Sequence, residues 1–147
     1  MDVSFRSYEP ADLARIKQLT VEGFDGVSID RNIEDRFGRI NDRDWRWRKT
    51  RHIDFDVERD PGGVFVAVAD ERVVGYITTF RDYDAGIGLI PNLAVDASMR
   101  GRGIGRRLIE FAVNHFRAEG LTHAKIETLD QNEVGQGLYP SLGSRRW

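Results

Sequence analysis

"NLAVDASMRGRGIGRRLIEFA", Asn92 to Ala112, passes from an apolar run through a glycine- and arginine-rich turn into an amphipathic pattern. Gly101, Gly103 and Gly105 alternate among Arg100, Arg102, Arg106 and Arg107, and no acid interrupts from Met99 to Arg107. From Gly103 onward Ile104, Leu108, Ala112 and Phe116 recur every four residues, with Ile109 and Val113 beside them. Arg106, Glu110, Asn114 and Arg117 fall on the opposite face, so the spacing predicts a helix that buries one side. Gly120 closes it. A helix N-terminus carries unpaired N–H groups and about half a positive charge. Glycine lets an anion approach without meeting a Cβ, and arginine adds ionic hydrogen bonds. The stretch therefore suits a phosphate or pyrophosphate. Its bland alternative is a glycine-rich turn with solvated arginines.

Two familiar phosphate loops fit poorly. The dinucleotide fingerprint needs G-x-G-x-x-G, and here the third glycine comes one residue early. The triphosphate loop needs G-K-[ST] before its helix, where this chain has "GRR".

Outward from that stretch, "GGVFVAVAD" and "RVVGYITTF" read as an antiparallel hairpin. "AGIGLIPNLAV" reads as a further strand in which Pro91 must occupy a bulge or an unpaired position, so the sheet splays nearby. Val3 to Ser7 is a short first strand. "EPADLARIKQLTVEGF" places Leu13, Ile16, Leu19 and Phe24 on one helical face, and a second helix is expected from Ile29 to Arg48 with Ile33, Phe37 and Ile40. "HAKIETL" is another strand, and "NEVGQGLYPSLG" a short helix weakened by Gly135, Gly137 and Pro140. The order β-α-α-β-β-β-α-β-α describes one α+β domain over residues 1–147, with a mostly antiparallel sheet. Its one strand–helix–strand crossover implies one parallel pair.

Composition narrows the chemistry. The chain has 147 residues and no cysteine, so disulfides, thiolate metal sites and cysteine nucleophiles are excluded. His52, His115 and His123 show no ligand spacing, and no metal is expected. A net charge of −2 argues against general polyanion binding. The start lacks a signal-peptide pattern and no apolar run approaches the ~20 residues of a membrane span, so a cytoplasmic protein with no membrane partner is expected.

The chain resembles the GCN5-related N-acetyltransferases (GNAT). Their signature, [RQ]-x-x-G-x-[GA] after a strand and opening a helix, is matched by Arg100, Gly103 and Gly105. The resemblance runs from about Val64 to Gly143 and includes the Asn-to-Tyr spacing in "NEVGQGLY" before "LG". It implies a GNAT-like sheet with flanking helices, and acetyl transfer from acetyl-coenzyme A to a small-molecule or peptide amine. The backbone of Leu93, Ala94 and Val95 would pair with the pantetheine arm. The N–H groups of Gly101, Arg102, Gly103, Ile104, Gly105 and Arg106, led by Arg100, would hold the pyrophosphate. Asn132 would bind pantetheine and Tyr139 would protonate the departing thiolate, although Pro140 departs from the family pattern and restricts the residue before it. Some family members carry a glutamate where Leu89 stands here. Glu127, five residues before Asn132, is the remaining candidate base, with a solvated strand carboxylate as its alternative.

Three further expectations follow. "DWRWRKTR" interleaves tryptophans with basic residues as a nucleic-acid surface would, but Asp54, Asp56, Glu58 and Asp60 follow closely, so a nucleic-acid partner is not expected. A connector or an acceptor-lining lid suits that segment better. Family members usually continue past "LG" with two more strands, and here only "SRRW" follows Gly143. The fold is thus expected to lack them, leaving an open edge at Lys125 to Leu129 that invites pairing with a second copy as a homodimer. A catalytically weak coenzyme A-binding module is the alternative to an enzyme.

Overall fold

The computed structural model describes residues 2–24, 45–126 and 144–146. Within them β1 (Val3–Ser7), β2 (Phe65–Ala69), β3 (Arg72–Asp82), β4 (Ile87–Val95), β5 (His123–Ile126) and β6 (Ser144–Arg146) form one sheet in sequence order. All neighbours are antiparallel except β4 and β5, which the crossover makes parallel. Helices α1 (Leu13–Phe24) and α2 (Trp45–Arg59) pack on one face, and α3 (Ile104–Ala118) on the other.

The two faces have separate cores. Ile104, Leu108, Ala112 and Phe116 of α3 bury against Phe65, Ala67, Ile77, Ile90, Leu93 and Val95. Ile16 and Leu19 of α1 and Ile53 of α2 bury against Val66, Val73, Tyr76 and Ala94. Neighbouring strand residues such as Val66 and Ala67, or Ala94 and Val95, thus divide between the faces as the pleat requires.

Two bulges interrupt that alternation. On β3, Val68 faces Val73 and Ala67 faces Gly75, which leaves Val74 without a partner. On β4, Thr78 faces Asn92 and Phe80 faces Leu89, so Ile90 and Pro91 together oppose Thr79. Proline has no N–H for the ladder, and the extra residue accommodates it. The bulge expected at Pro91 is present, and it explains why Ile90 and Leu93, three residues apart, share one core.

The structure corrects two expectations. The segment read as a connector is the helix α2, and Ile53 and Asp56 on it are buried. The edge expected to lie open at β5 is occupied by β6, which pairs Arg146, Arg145 and Ser144 with His123, Ala124 and Lys125. The argument for a dimer through those three residues falls with it. Of the helix expected from Ile29 to Arg48, residues 29–44 lie outside the described residues and 45–48 open α2, which runs on to Arg59; the helix expected over 132–143 lies outside them entirely.

The β2–β3 hairpin turns on Asp70 and Glu71, whose φ angles are +51° and +63°. Positive φ at both positions of a two-residue turn matches the strand twist but favours Asn-Gly over side-chain-bearing residues. Glu71→Gly should therefore stabilise the fold by about 0.5–1 kcal/mol, as urea unfolding would show.

Candidate functional site

The site assembles where β4 ends and α3 begins. Hydrogen bonding to β5 covers only Ile87 to Ile90 of β4. Beyond the bulge, Asn92, Leu93, Ala94 and Val95 remain paired with β3 but have no described strand on the other side. The candidate gap is this outer edge, unpaired among the described residues, along backbone held on its other side by β3.

After β4, Asp96 opens a short 3-10 turn, Ala97–Met99. Met99 N–H donates to the Asp96 carbonyl at 2.9 Å and Arg100 N–H to that of Ala97 at 3.4 Å. From Gly101 the pattern changes. Gly101 and Gly103 have φ angles of +80° and +76°, and a Cβ on either would meet nothing within 4 Å. Gly103 is the N-cap of α3 and, lacking a side chain, caps nothing. The next internal donor is Arg107, whose N–H reaches the Gly103 carbonyl at 3.0 Å. Among the described residues, the amides of Gly101, Arg102, Gly103, Ile104, Gly105 and Arg106 find no acceptor. Such a run of N–H groups at a helix start is an anion site.

The arginines divide their tasks. Arg102 is exposed, and Arg106 lies 3.7 Å from Glu110 one turn along α3. Arg107 turns away and stacks on Phe5, 4.6 Å from its ring centre. Arg100 folds inward, where its guanidinium would lie 3.9 Å from a Cβ at Gly23, near the end of α1. The Arg100 Nε is buried and has no hydrogen-bond partner. A buried donor left unmet costs about 1–3 kcal/mol.

A polar network lies on the α1/α2 face beside the gap. The Asp56 carboxylate accepts from the Asn92 side-chain amide at 2.6 Å and from the Thr78 hydroxyl at 3.0 Å. Lys49 Nζ donates to Asn92 Oδ1 at 2.8 Å, and Arg59 lies 3.8 Å from the other Asp56 oxygen. Next to it the buried hydroxyls of Thr20 and Tyr76 meet at 2.7 Å. Sequence reasoning missed Asp56, Asn92 and Lys49 because their spacing along the chain carries no pattern. Nearer the surface, Arg51 lies over the rings of Trp47 and Phe55, so this basic-aromatic stretch is partly engaged with itself. Glu127, Asn132 and Tyr139 lie outside the described residues.

The acetyltransferase (GNAT) family pattern matches residues 28–143. This chain belongs to the GNAT family. Mycothiol acetyltransferase of Thermomonospora curvata is 34% identical over 88 residues, which cover 60% of this chain and 29% of that protein. The chain thus spans less than a third of that relative's length. N-alpha-acetyltransferase 30 of Schizosaccharomyces pombe is 29% identical over 94 residues, covering 62% of this chain and 63% of that one. Among solved structures, the PaiA N-acetyltransferase of Thermoplasma acidophilum, in complex with coenzyme A, has a TM-score of 0.71 at 18% identity, covering 95% of this chain and 87% of its own. That likeness is one of fold. In this GNAT chain no described group of three His, Asp or Glu residues is placed to hold a metal ion, and no described helix is long and apolar enough to cross a membrane.

Asp96 anchors the turn and is itself strongly held. Its carboxylate accepts from the Ser98 hydroxyl at 2.7 Å, the Ser98 amide at 2.9 Å and Arg15 at 2.6 Å. The Ser98 hydrogen bonds and Arg15 outweigh burial and bring its pKa down from 3.8 to about 2. A depressed carboxyl stabilises the fold above its unfolded value, and that contribution is lost as pH falls toward the folded one. Unfolding measured from pH 5 to pH 2 should show a shallower loss of stability on acidification in Asp96→Asn than in the parent. Asp12 and Asp60, also held low by Arg6 and Arg81 against the cost of burial, keep the slope from vanishing.

Proposed function

We propose that this protein is an N-acetyltransferase that moves an acetyl group from acetyl-coenzyme A to a primary amine, acting in the cytoplasm. The single observation that carries the reading is the run of amides from Gly101 to Arg106 with no acceptor among the described residues, set beside a strand whose outer edge has no described partner. Their number and the open space over Gly101 and Gly103 fit a diphosphate. The backbone of Leu93, Ala94 and Val95, which has no described strand on its outer side, suits an extended amide-bearing arm that adds as a strand. These features fit a pantetheine diphosphate and support the family's activity for this chain.

Bound acetyl-coenzyme A would supply an activated thioester carbonyl. The chain must then hold it, receive a neutral amine and deliver a proton to the departing sulfur. In this reading Tyr139 delivers that proton, since a phenol with a reference pKa near ~10 remains protonated at neutral pH. Asn132 holds the pantetheine. Glu127 takes the amine's proton, either directly or through water. How much the base matters depends on the acceptor. Freeing a lysine-like amine of its proton at pH 7 costs about 4.6 kcal/mol, whereas an α-amine costs about 1.4 kcal/mol. A small-molecule or peptide amine with a low pKa would need Glu127 least.

Acetyl-coenzyme A at a hundred times its dissociation constant should stabilise the fold by about 2.7 kcal/mol, raising the melting temperature. Amines from a panel should then release free thiol. Tyr139→Phe should keep that shift and lower turnover by roughly 10²-fold or more. A shift without thiol release from any amine would leave a coenzyme-binding module, and no shift would remove the reading altogether.

A further inference from the structure

Building on the coenzyme reading above, we propose that Arg15, on α1, is a positioning residue for the diphosphate cradle and acts on it through Asp96. Arg15 lies 81 residues before its partner and touches none of the free amides. Its Nε donates to the Val73 carbonyl at 2.9 Å and its Nη2 to Asp96 Oδ2 at 2.6 Å. Asp96 N–H in turn donates to the Val74 carbonyl at 2.8 Å. Val73 and Val74 are the two residues of the β3 bulge, so the guanidinium binds the bulged strand and the start of the cradle together. Both side chains of the pair are largely buried, at 15% and 12% exposure.

Two consequences reach the cradle. The first is geometric. Asp96 Oδ1 holds Ser98 by both its amide and its hydroxyl, closing the turn that ends at Met99. The free amides begin two residues later, on a stretch whose glycines have the widest backbone freedom of any residue. Its far end is fixed by α3, so Asp96 is the only comparable anchor on its near side among the described residues. A loop held at both ends loses less entropy when an anion arrives. The second consequence is electrostatic. Asp96 puts a carboxylate close to a site meant for negative charge, and Arg15 neutralises it at contact distance. The other cation nearby, Arg72, is 3.7 Å away and 62% exposed, where solvent screens it.

This predicts a loss confined to ligands that carry the diphosphate. The parent and Arg15→Met would be compared for acetyl-coenzyme A binding by calorimetry, and for thiol release from acetyl-coenzyme A and from S-acetylpantetheine, which lacks the diphosphate. Arg15→Met should weaken acetyl-coenzyme A binding at least tenfold and lower its kcat/KM to match, with kcat/KM for S-acetylpantetheine within twofold of the parent. Arg15→Lys, which keeps the charge but not both hydrogen bonds, should recover part of the loss. If Arg15→Met does not fold, Arg15→Gln serves the same comparison, since it removes the charge and keeps a hydrogen-bond donor. Unchanged acetyl-coenzyme A binding in the variant, or an equal loss with both donors, overturns the assignment while leaving the coenzyme reading intact. A parent that binds no acetyl-coenzyme A overturns both.

Discussion

Backbone N–H groups must donate somewhere, and at the start of α3 six in succession have nowhere within the described chain to do so. Most helices meet this demand with a side-chain cap, and the residue in the capping position here is a glycine in the left-handed conformation. The amides are therefore left without a described acceptor, at the positive end of a fifteen-residue helix. Everything around them serves to keep them so. Ile104, Leu108 and Phe116 fix the helix on the sheet, β4 fixes the approach, and the 3-10 turn fixes where the free run begins. A site of this kind gives up local hydrogen bonding in order to be ready for a ligand, and the rest of the fold must offset that cost.

The bulge at Pro91 makes the second half of the site. The extra residue increases twist and the proline withholds a donor, while the strand stays joined to β3 as far as Val95. The same irregularity puts Leu93 and Val95 under α3 and Asn92 and Ala94 toward α1 and α2. One local insertion thus decides which side chains face each core.

Much of this was legible in the chain. The hairpin, the Pro91 bulge, the α3 pattern and the glycine turn all depend on residues close in sequence, where period and turn chemistry speak directly. The α2 helix was not, because "WRWRKTRHIDFDVER" is dominated by charge and its buried face is carried by little more than Ile53 and Asp56. Asp56 reads as a surface residue until Asn92 and Thr78, brought from two strands, supply its hydrogen bonds. Arg15 and Asp96 are likewise ordinary residues of a helix and a loop until the sheet sets them side by side. The β6 pairing escaped notice for a related reason: three residues, Ser-Arg-Arg, have no β pattern, and only an adjacent open edge gives them one.

That same face explains why polar residues are tolerated so deep beside the gap. Thr20, Tyr76, Thr78, Asp56 and Asn92 are all buried, and an apolar set of equal volume would pack there without the cost of desolvation. Each is satisfied, chiefly by another member of the set, so removing one would strand its neighbour rather than create a simple cavity. A network of this kind is rigid and does not readily repack to close the space next to it. The end of β4 is therefore bordered on one side by a helix start whose amides find no acceptor among the described residues, and on the other by a polar floor that does not readily repack. Two such walls would keep the edge of β4 aligned for a strand-like arm, which is what that arm needs if it is to pair with the backbone without rearranging it.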